Sequence, residues 1–280
     1  MTVDEIRVSR DWLTLREPAD AAARARDLVE QVTGRLPQTD RQVIHDLACG
    51  TGSMGRWLAP QLNGAQHWVV HDRDPDLLAA ARADRPGPAR DGGAVSLETR
   101  QSDITWLGAD ELDGAALIVA SALLDMLTGE ELARLVAVCV EASCPVLITL
   151  SVVGRVELTP ADPLDLRVAA AFNDHQRRMT ARGRLLGPDA VAAAGEQFRR
   201  HGAEVIVRRS PWRLGALHPG LAAEWFAGWL AAACEQQEEL DASTRAYARR
   251  RLAEAGAGRL AVTLEHADLL VLPRPDRGSA

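Results

Sequence analysis

The strongest constraint on this chain is residues 43–55, VIHDLACGTGSMG. An apolar run of strand length stops at three closely spaced glycines, Gly50, Gly52 and Gly55, and a helical pattern, SMGRWLAPQL, follows at once. A buried strand that turns sharply through glycine into a helix needs positive φ and close backbone packing, which glycine alone supplies without strain. Such a unit belongs to an open, mostly parallel sheet flanked by helices.

The rest of the chain repeats the alternation. Strand patterns fall at 41–49, 65–72, 94–103, 115–125, 144–153, 203–210 and 266–273, and helical patterns at 16–34, 53–62, 74–83, 128–142 and 187–202. In the first helix Pro18 suits the opening turn and Gly34 the stop. Thr128 and Glu131 form a capping box, and Asp74 with Pro75 opens the helix after the second strand. This predicts an α/β fold, a mostly parallel sheet with helices on both faces. Two stretches exceed what it needs: 154–187 after the fifth strand, and 211–259 after the sixth, with two helical patterns. Excursions of that length usually cover a site, and both leave the carboxyl edge of the sheet, where such folds bind ligands. The expected organisation is a helical segment at 1–40, a ligand-binding core at 41–153, 188–210 and 260–273, and a helical cover at 154–187 and 211–259.

Composition narrows the chemistry. The net charge is −7, which argues against affinity built on phosphate neutralisation and so against a nucleic-acid partner. All 32 basic residues other than histidine are arginine. That excludes Schiff-base lysines, phosphate-loop lysines and Tyr-Lys reductase pairs. The four cysteines, Cys49, Cys139, Cys144 and Cys234, lack metal-ligand spacing and read as reduced thiols of a cytoplasmic protein. No leader peptide or membrane span is expected.

The glycines fit two cofactor classes. G-x-G-x-x-G is a dinucleotide fingerprint, and D-x-A-C-G-T-G, residues 46–52, is a pattern associated with S-adenosylmethionine (SAM). Asp72 ends the second strand, twenty positions after Gly52, where an acid can hold both ribose hydroxyls in either class. Asp46 separates them, because a carboxylate at the glycine turn would repel a pyrophosphate. SAM instead carries an ammonium and a sulfonium. Asp103 in QSDI stands where a carboxylate can accept from an adenine amine.

On these motifs, with VVHDRDPDLL and ALIVASALLDML, the chain resembles the class I SAM-dependent methyltransferases over 43–153 and 185–273. The resemblance implies a seven-stranded sheet in the order 3-2-1-4-5-7-6, its seventh strand antiparallel. It implies SAM as cofactor and S-adenosyl-L-homocysteine as product. Position by position, it implies a cofactor site at Asp46, Ala48, Cys49, Gly50, Gly52, Asp72, Arg73, Asp103, Ile104 and Ser121. Many members bind the methionine carboxylate with an arginine of the N-terminal helix; Arg16 is the candidate, with Arg24 in competition.

The fourth strand lacks the Pro-Pro-aromatic signature of amino-methylating nucleic-acid and protein enzymes, and no cation-binding carboxylate triad is visible. A small-molecule acceptor and no metal are therefore expected. In FNDHQRR, helical spacing groups Phe172, His175 and Gln176. His175 is the candidate base and Arg178 the candidate anion clamp, with Asn173 nearby. Asp125 after the fourth strand is a second catalytic candidate, and Trp212 and Arg213 in SPWRLG are candidate substrate contacts. Oxygen is favoured over nitrogen or carbon as the accepting atom. The rivals are a nicotinamide-dependent oxidoreductase and a SAM-binding domain without turnover. A monomer or homodimer fits either way.

Overall fold

The computed structural model describes residues 8–37 and 39–274. The strands are β1 (Gln42–Leu47), β2 (Gln66–Asp72), β3 (Val95–Gln101), β4 (Leu117–Ser121), β5 (Val146–Thr159), the hairpin pair β6 (Met179–Thr180) and β7 (Gly183–Arg184), β8 (Glu204–Arg209), β9 (Trp212–Leu214) and β10 (Ala261–Leu272). The helices are α1 (Arg10–Ala23), α2 (Arg26–Thr33), α3 (Ser53–Leu58), α4 (Pro75–Ala83), α5 (Gly129–Glu141), α6 (Pro163–Gln176), α7 (Ala190–Arg200), α8 (Pro219–Gln236) and α9 (Glu239–Gly256).

The main sheet runs β3-β2-β1-β4-β5-β10-β8. Its first five strands are parallel, and β10 is antiparallel to both neighbours. This is the expected order, with β10 in the seventh place. Leu47 of β1 lies level with His71 of β2 and Ala120 of β4, so Ala48 and the strand-end residues Asp72 and Ser121 stand side by side at the carboxyl edge.

Both faces are buried. On one, α5 and α7 pack Leu132, Val136 and Phe198 against Ile148 and Leu269; on the other, α2, α3 and α4 pack Leu28, Leu58 and Leu78 against Ile44 and Trp68. Each such side chain contributes roughly 1.5–3 kcal/mol by leaving water.

Three elements differ from the sequence reading. First, α1 begins at Arg10, capped by the Ser9 hydroxyl, and Pro18 lies inside it. The chain breaks after Ala23 and resumes as α2, so one expected helix is two. Packing of Trp12 near Trp212, with ring centroids 6.3 Å apart, anchors the added turns. Second, β5 runs to Thr159 and β10 starts at Ala261, so the first excursion opens as strand. Arg155-Val156-Glu157-Leu158 alternates polar and apolar residues, a strand signal. Third, residues 212–214 form β9, which pairs with β10.

These strands extend the sheet beyond its carboxyl edge and carry a third core with α6 and α8, around Trp212, Phe226, Trp229 and Val262. The polar helix α9 docks through two groups: the Tyr247 hydroxyl donates to Asp165 at 2.7 Å, and the buried Arg251 guanidinium donates to the same carboxylate at 2.8 Å. No helix among the described residues is long and apolar enough to cross a membrane.

Candidate functional site

A cavity of about 710 Å³ lies at the carboxyl edge of the parallel strands, between the β1 turn and the sheet extension. That is within the ~300–1,000 Å³ span of small-molecule sites.

At one end the β1 turn sets the geometry. Ala48, Gly50 and Gly52 have φ of 56°, 56° and 80°. A Cβ on Gly50 would stand 3.1 Å from the Leu13 side chain of α1, so a larger residue there would have to displace that side chain as well as adopt a positive φ. The Gly50 amide donates to Asp72 Oδ2 at 2.8 Å, and the Asp74 amide to Asp72 Oδ1 at 2.9 Å. Each oxygen of Asp72 therefore keeps acceptor capacity. Asp103 uses Oδ1 to accept from the Thr105 amide and hydroxyl, capping a short 3-10 turn that begins at Ile104. Ala48, Cys49, Gly50, Asp72, Arg73, Asp103, Ile104 and Ser121 all line the cavity. Gly52 does not; it caps α3 and packs on Ala81 of α4, where an added Cβ would come within 3.2 Å.

Asp46 also lines the cavity. It is 1% exposed, and neither carboxylate oxygen has a hydrogen-bond partner among the described residues. Burial pushes its carboxyl up to about 7, against the pull of Arg24, with Asp72 adding to the rise. Arg24, 2% exposed, sits in the break between α1 and α2. Its Nη2 donates to Ser121 Oγ at 3.1 Å and Ser53 Oγ at 3.4 Å, both hydroxyls of cavity-lining residues. Nε and Nη1 have no partner among the described residues. The buried Asp46 carboxyl thus lines one end of the cavity, and the buried, incompletely paired Arg24 guanidinium stands behind Ser53 and Ser121 of its wall, outside the lining itself.

Arg16 is placed differently from the expectation. It lines the cavity, but its guanidinium is bound by Asp20, with Nε–Oδ2 at 2.9 Å and Nη2–Oδ1 at 3.1 Å, and lies 4.8 Å over the Trp212 ring. Asp20 also accepts from Trp212 Nε1 at 2.9 Å.

The other end is built by the extension and its helices. Phe172, Asn173 and Gln176 of α6, Trp212 of β9 and Trp225 of α8 line it, with His266 of β10 and Asp125 after β4. Gly154, at φ 75°, lets α6 approach: Asn173 Nδ2 donates to its carbonyl at 2.8 Å, and a Cβ there would meet Pro188 at 2.8 Å. Burial raises the Asp125 carboxyl to about 6, opposed by Arg16 and Arg178. Burial lowers His266 to about 3, leaving it neutral.

His175 is outside this lining. At ~100° per residue, Phe172, Gln176 and Asn173 share an arc of about 100°, and His175 falls about 60° beyond it. It faces α8 instead, Nε2 standing 3.3 Å from Glu235. Burial and Arg178 lower its pKa, and Glu235 opposes them. Arg178 donates to the His175 carbonyl and is not in the lining either. Arg213 is exposed on β9.

Sequence reasoning passed over Trp12, Asp20, Thr51, Ser53, Gln101 and His266, all of which line the cavity. Trp12 and Asp20 carried one readable signal: with Arg16 they recur at fourfold helical spacing, one stripe on α1.

No family model matches the sequence, and no curated protein matches it. Solved structures do match. The cyclopropane synthase MmaA2 from Mycobacterium tuberculosis is 14% identical, with 94% of each chain covered and a TM-score of 0.51. The fold is that of the class I SAM-dependent methyltransferases. SAM-dependent methyltransferases from Geobacter sulfurreducens (14% identity, 95% of this chain and 99% of that one, TM-score 0.42) and Thiobacillus denitrificans (11%, 96% and 100%, 0.43), both solved with S-adenosyl-L-homocysteine, also align.

Proposed function

We propose that this chain is a SAM-dependent methyltransferase acting on a small molecule. One observation carries the reading: the buried Asp46 carboxyl, without a hydrogen-bond partner among the described residues, lines one end of a cavity whose next acid is Asp72, and the part-paired Arg24 guanidinium stands behind that wall on Ser53 and Ser121. That pattern suits an amino-acid zwitterion followed by a ribose. It does not suit a pyrophosphate, which Asp46 would repel, so the nicotinamide alternative is disfavoured.

The residues present fit SAM. Asp46 accepts from the ammonium. Arg24, held behind Ser53 and Ser121, supplies the positive field for the carboxylate. Gly50 lets the ligand pass against the backbone, Asp72 accepts from the ribose hydroxyls, and Asp103 accepts from the adenine amine with its free oxygen. Arg24 replaces Arg16 in this role because Arg16 is neutralised by Asp20. Bound SAM supplies an electrophilic methyl group.

The remaining task is alignment and proton removal. Asp125 takes the role expected of His175: it lines the cavity and titrates near 6, so it is mostly ionised at neutral pH. A carboxylate base favours a hydroxyl acceptor, methylated on oxygen. The segments after β5 and β8 form the cover that encloses this acceptor. Free thiols at Cys49, Cys139, Cys144 and Cys234 support a reducing, cytoplasmic setting. The test is transfer of label from methyl-labelled SAM into a metabolite extract; absence of any labelled product from chain that binds SAM supports a binder without turnover.

A further inference from the structure

The acceptor end of the cavity has a composition specific enough to name a substrate class. Four aromatic side chains from four separate elements reach it, Trp12, Phe172, Trp212 and Trp225, in a chain that is only 4% aromatic. Trp225 is backed by Trp229, stacked at 5.3 Å, so that wall is rigid. Aromatic rings prefer offset or edge-to-face partners at such distances.

The arginines lining this end are already matched, and its open carboxylate is that of Asp125, the proposed base. Arg16 is spent on Asp20, and Arg182 on Glu131 at 2.8 Å. A carboxylate or phosphate entering here would lose its water without gaining a free counter-ion, which is strongly unfavourable. A ligand cation would find the Trp12 and Trp212 faces already taken by Arg16, at 5.9 Å and 4.8 Å from the ring centres, and pairing with Asp125 would occupy the proposed base. Among the residues lining the cavity, two uncharged polar atoms are buried without a partner among the described residues: Gln176 Oε1 and His266 Nδ1.

We infer that the acceptor is an uncharged aromatic compound bearing a hydroxyl group, stacked among these rings and held by Gln176. This rests on the methyltransferase reading, and the test separates the two. Calorimetry is run on the full chain saturated with S-adenosyl-L-homocysteine, using four probes: 2-naphthol, 3-hydroxy-2-naphthoate, 2-naphthyltrimethylammonium and decahydro-2-naphthol. The expected result is that 2-naphthol binds at least tenfold more tightly than each of the others. Equal or tighter binding of either charged probe, or of the saturated alcohol, overturns the inference, as does no binding of 2-naphthol to chain that binds S-adenosyl-L-homocysteine. Failure to bind S-adenosyl-L-homocysteine overturns the underlying reading instead. A second arm uses Asp20→Asn, which keeps an acceptor for Trp212 and leaves Arg16 unneutralised. Its preference should shift at least tenfold toward the naphthoate, and an unchanged preference in a variant that melts cooperatively overturns the charge argument.

Discussion

Replacing Asp46 by Asn should make the ligand-free protein more stable in alkali and poorer at binding SAM. In the folded chain the carboxyl ionises at about 7 because it is buried without a hydrogen-bond donor; unfolded, it ionises near 3.9. A raised acid pKa means that the folded state binds the proton more tightly, so stability is lost as pH rises from about 4 to about 7. Each pH unit in that window is worth ~1.4 kcal/mol. Asparagine removes the pH-dependent part and leaves a buried amide that still lacks partners, a penalty of roughly 1–3 kcal/mol at every pH. The difference between two pH values cancels that penalty. The gain in stability of Asp46→Asn over wild type should therefore be about 2–3 kcal/mol larger at pH 8 than at pH 5, or several degrees in Tm for a chain of this size. Thermal and urea unfolding at both pH values read it directly. Calorimetry with SAM should show at least a tenfold loss of affinity. A gain that does not change with pH would refute the burial argument, and unchanged SAM affinity would remove Asp46 from the cofactor site.

Arg24→Met should lower SAM affinity at least tenfold, whereas Arg16→Met should change it less than threefold; calorimetry on both variants decides which arginine serves the methionine carboxylate. Asp125→Asn should lower turnover about 10²-fold with SAM affinity intact and abolish the acid limb of the pH–rate profile near pH 6. His175→Ala should keep wild-type turnover, measured by the same label transfer. His45 and His71, whose rings meet at 3.0 Å, are both held down to about 4, mainly by burial. A lowered histidine pKa gives stability that is complete above pH 6.5 and is lost as pH falls toward 4. The stability of His71→Asn relative to wild type should accordingly rise by about 2–3 kcal/mol across that window, measured by urea unfolding from pH 7 to pH 4.5.

What the sequence disclosed were the features set by neighbours along the chain. The strand-to-glycine turn, the Thr128–Glu131 capping box and the alternation of elements are local, and each is found where it was read. The sheet order followed from the family pattern attached to that turn. Features set across the chain were hidden. Arg16 looked free because Trp212, which lies under it and helps to hold Asp20, is far along the sequence, and because Asp20 reads equally well as a helix-start acid. The burial of Arg24 depends on a helix break that no glycine or proline marks. His175 was grouped with Phe172 by spacing alone; its direction is set by α8, whose packing on α6 the sequence does not display. The β5 extension was legible in the alternation of residues 155–158, although the length of the 154–187 excursion pointed to a helical cover.

Under the proposed function, Asp46 of β1 and Arg24 behind Ser53 and Ser121 select a zwitterionic, phosphate-free cofactor. Calorimetry of the purified chain against SAM and NADH tests this selection most directly. Saturable binding of SAM, with no heat above dilution for NADH, is the expected result. Tight NADH binding with no response to SAM would contradict it.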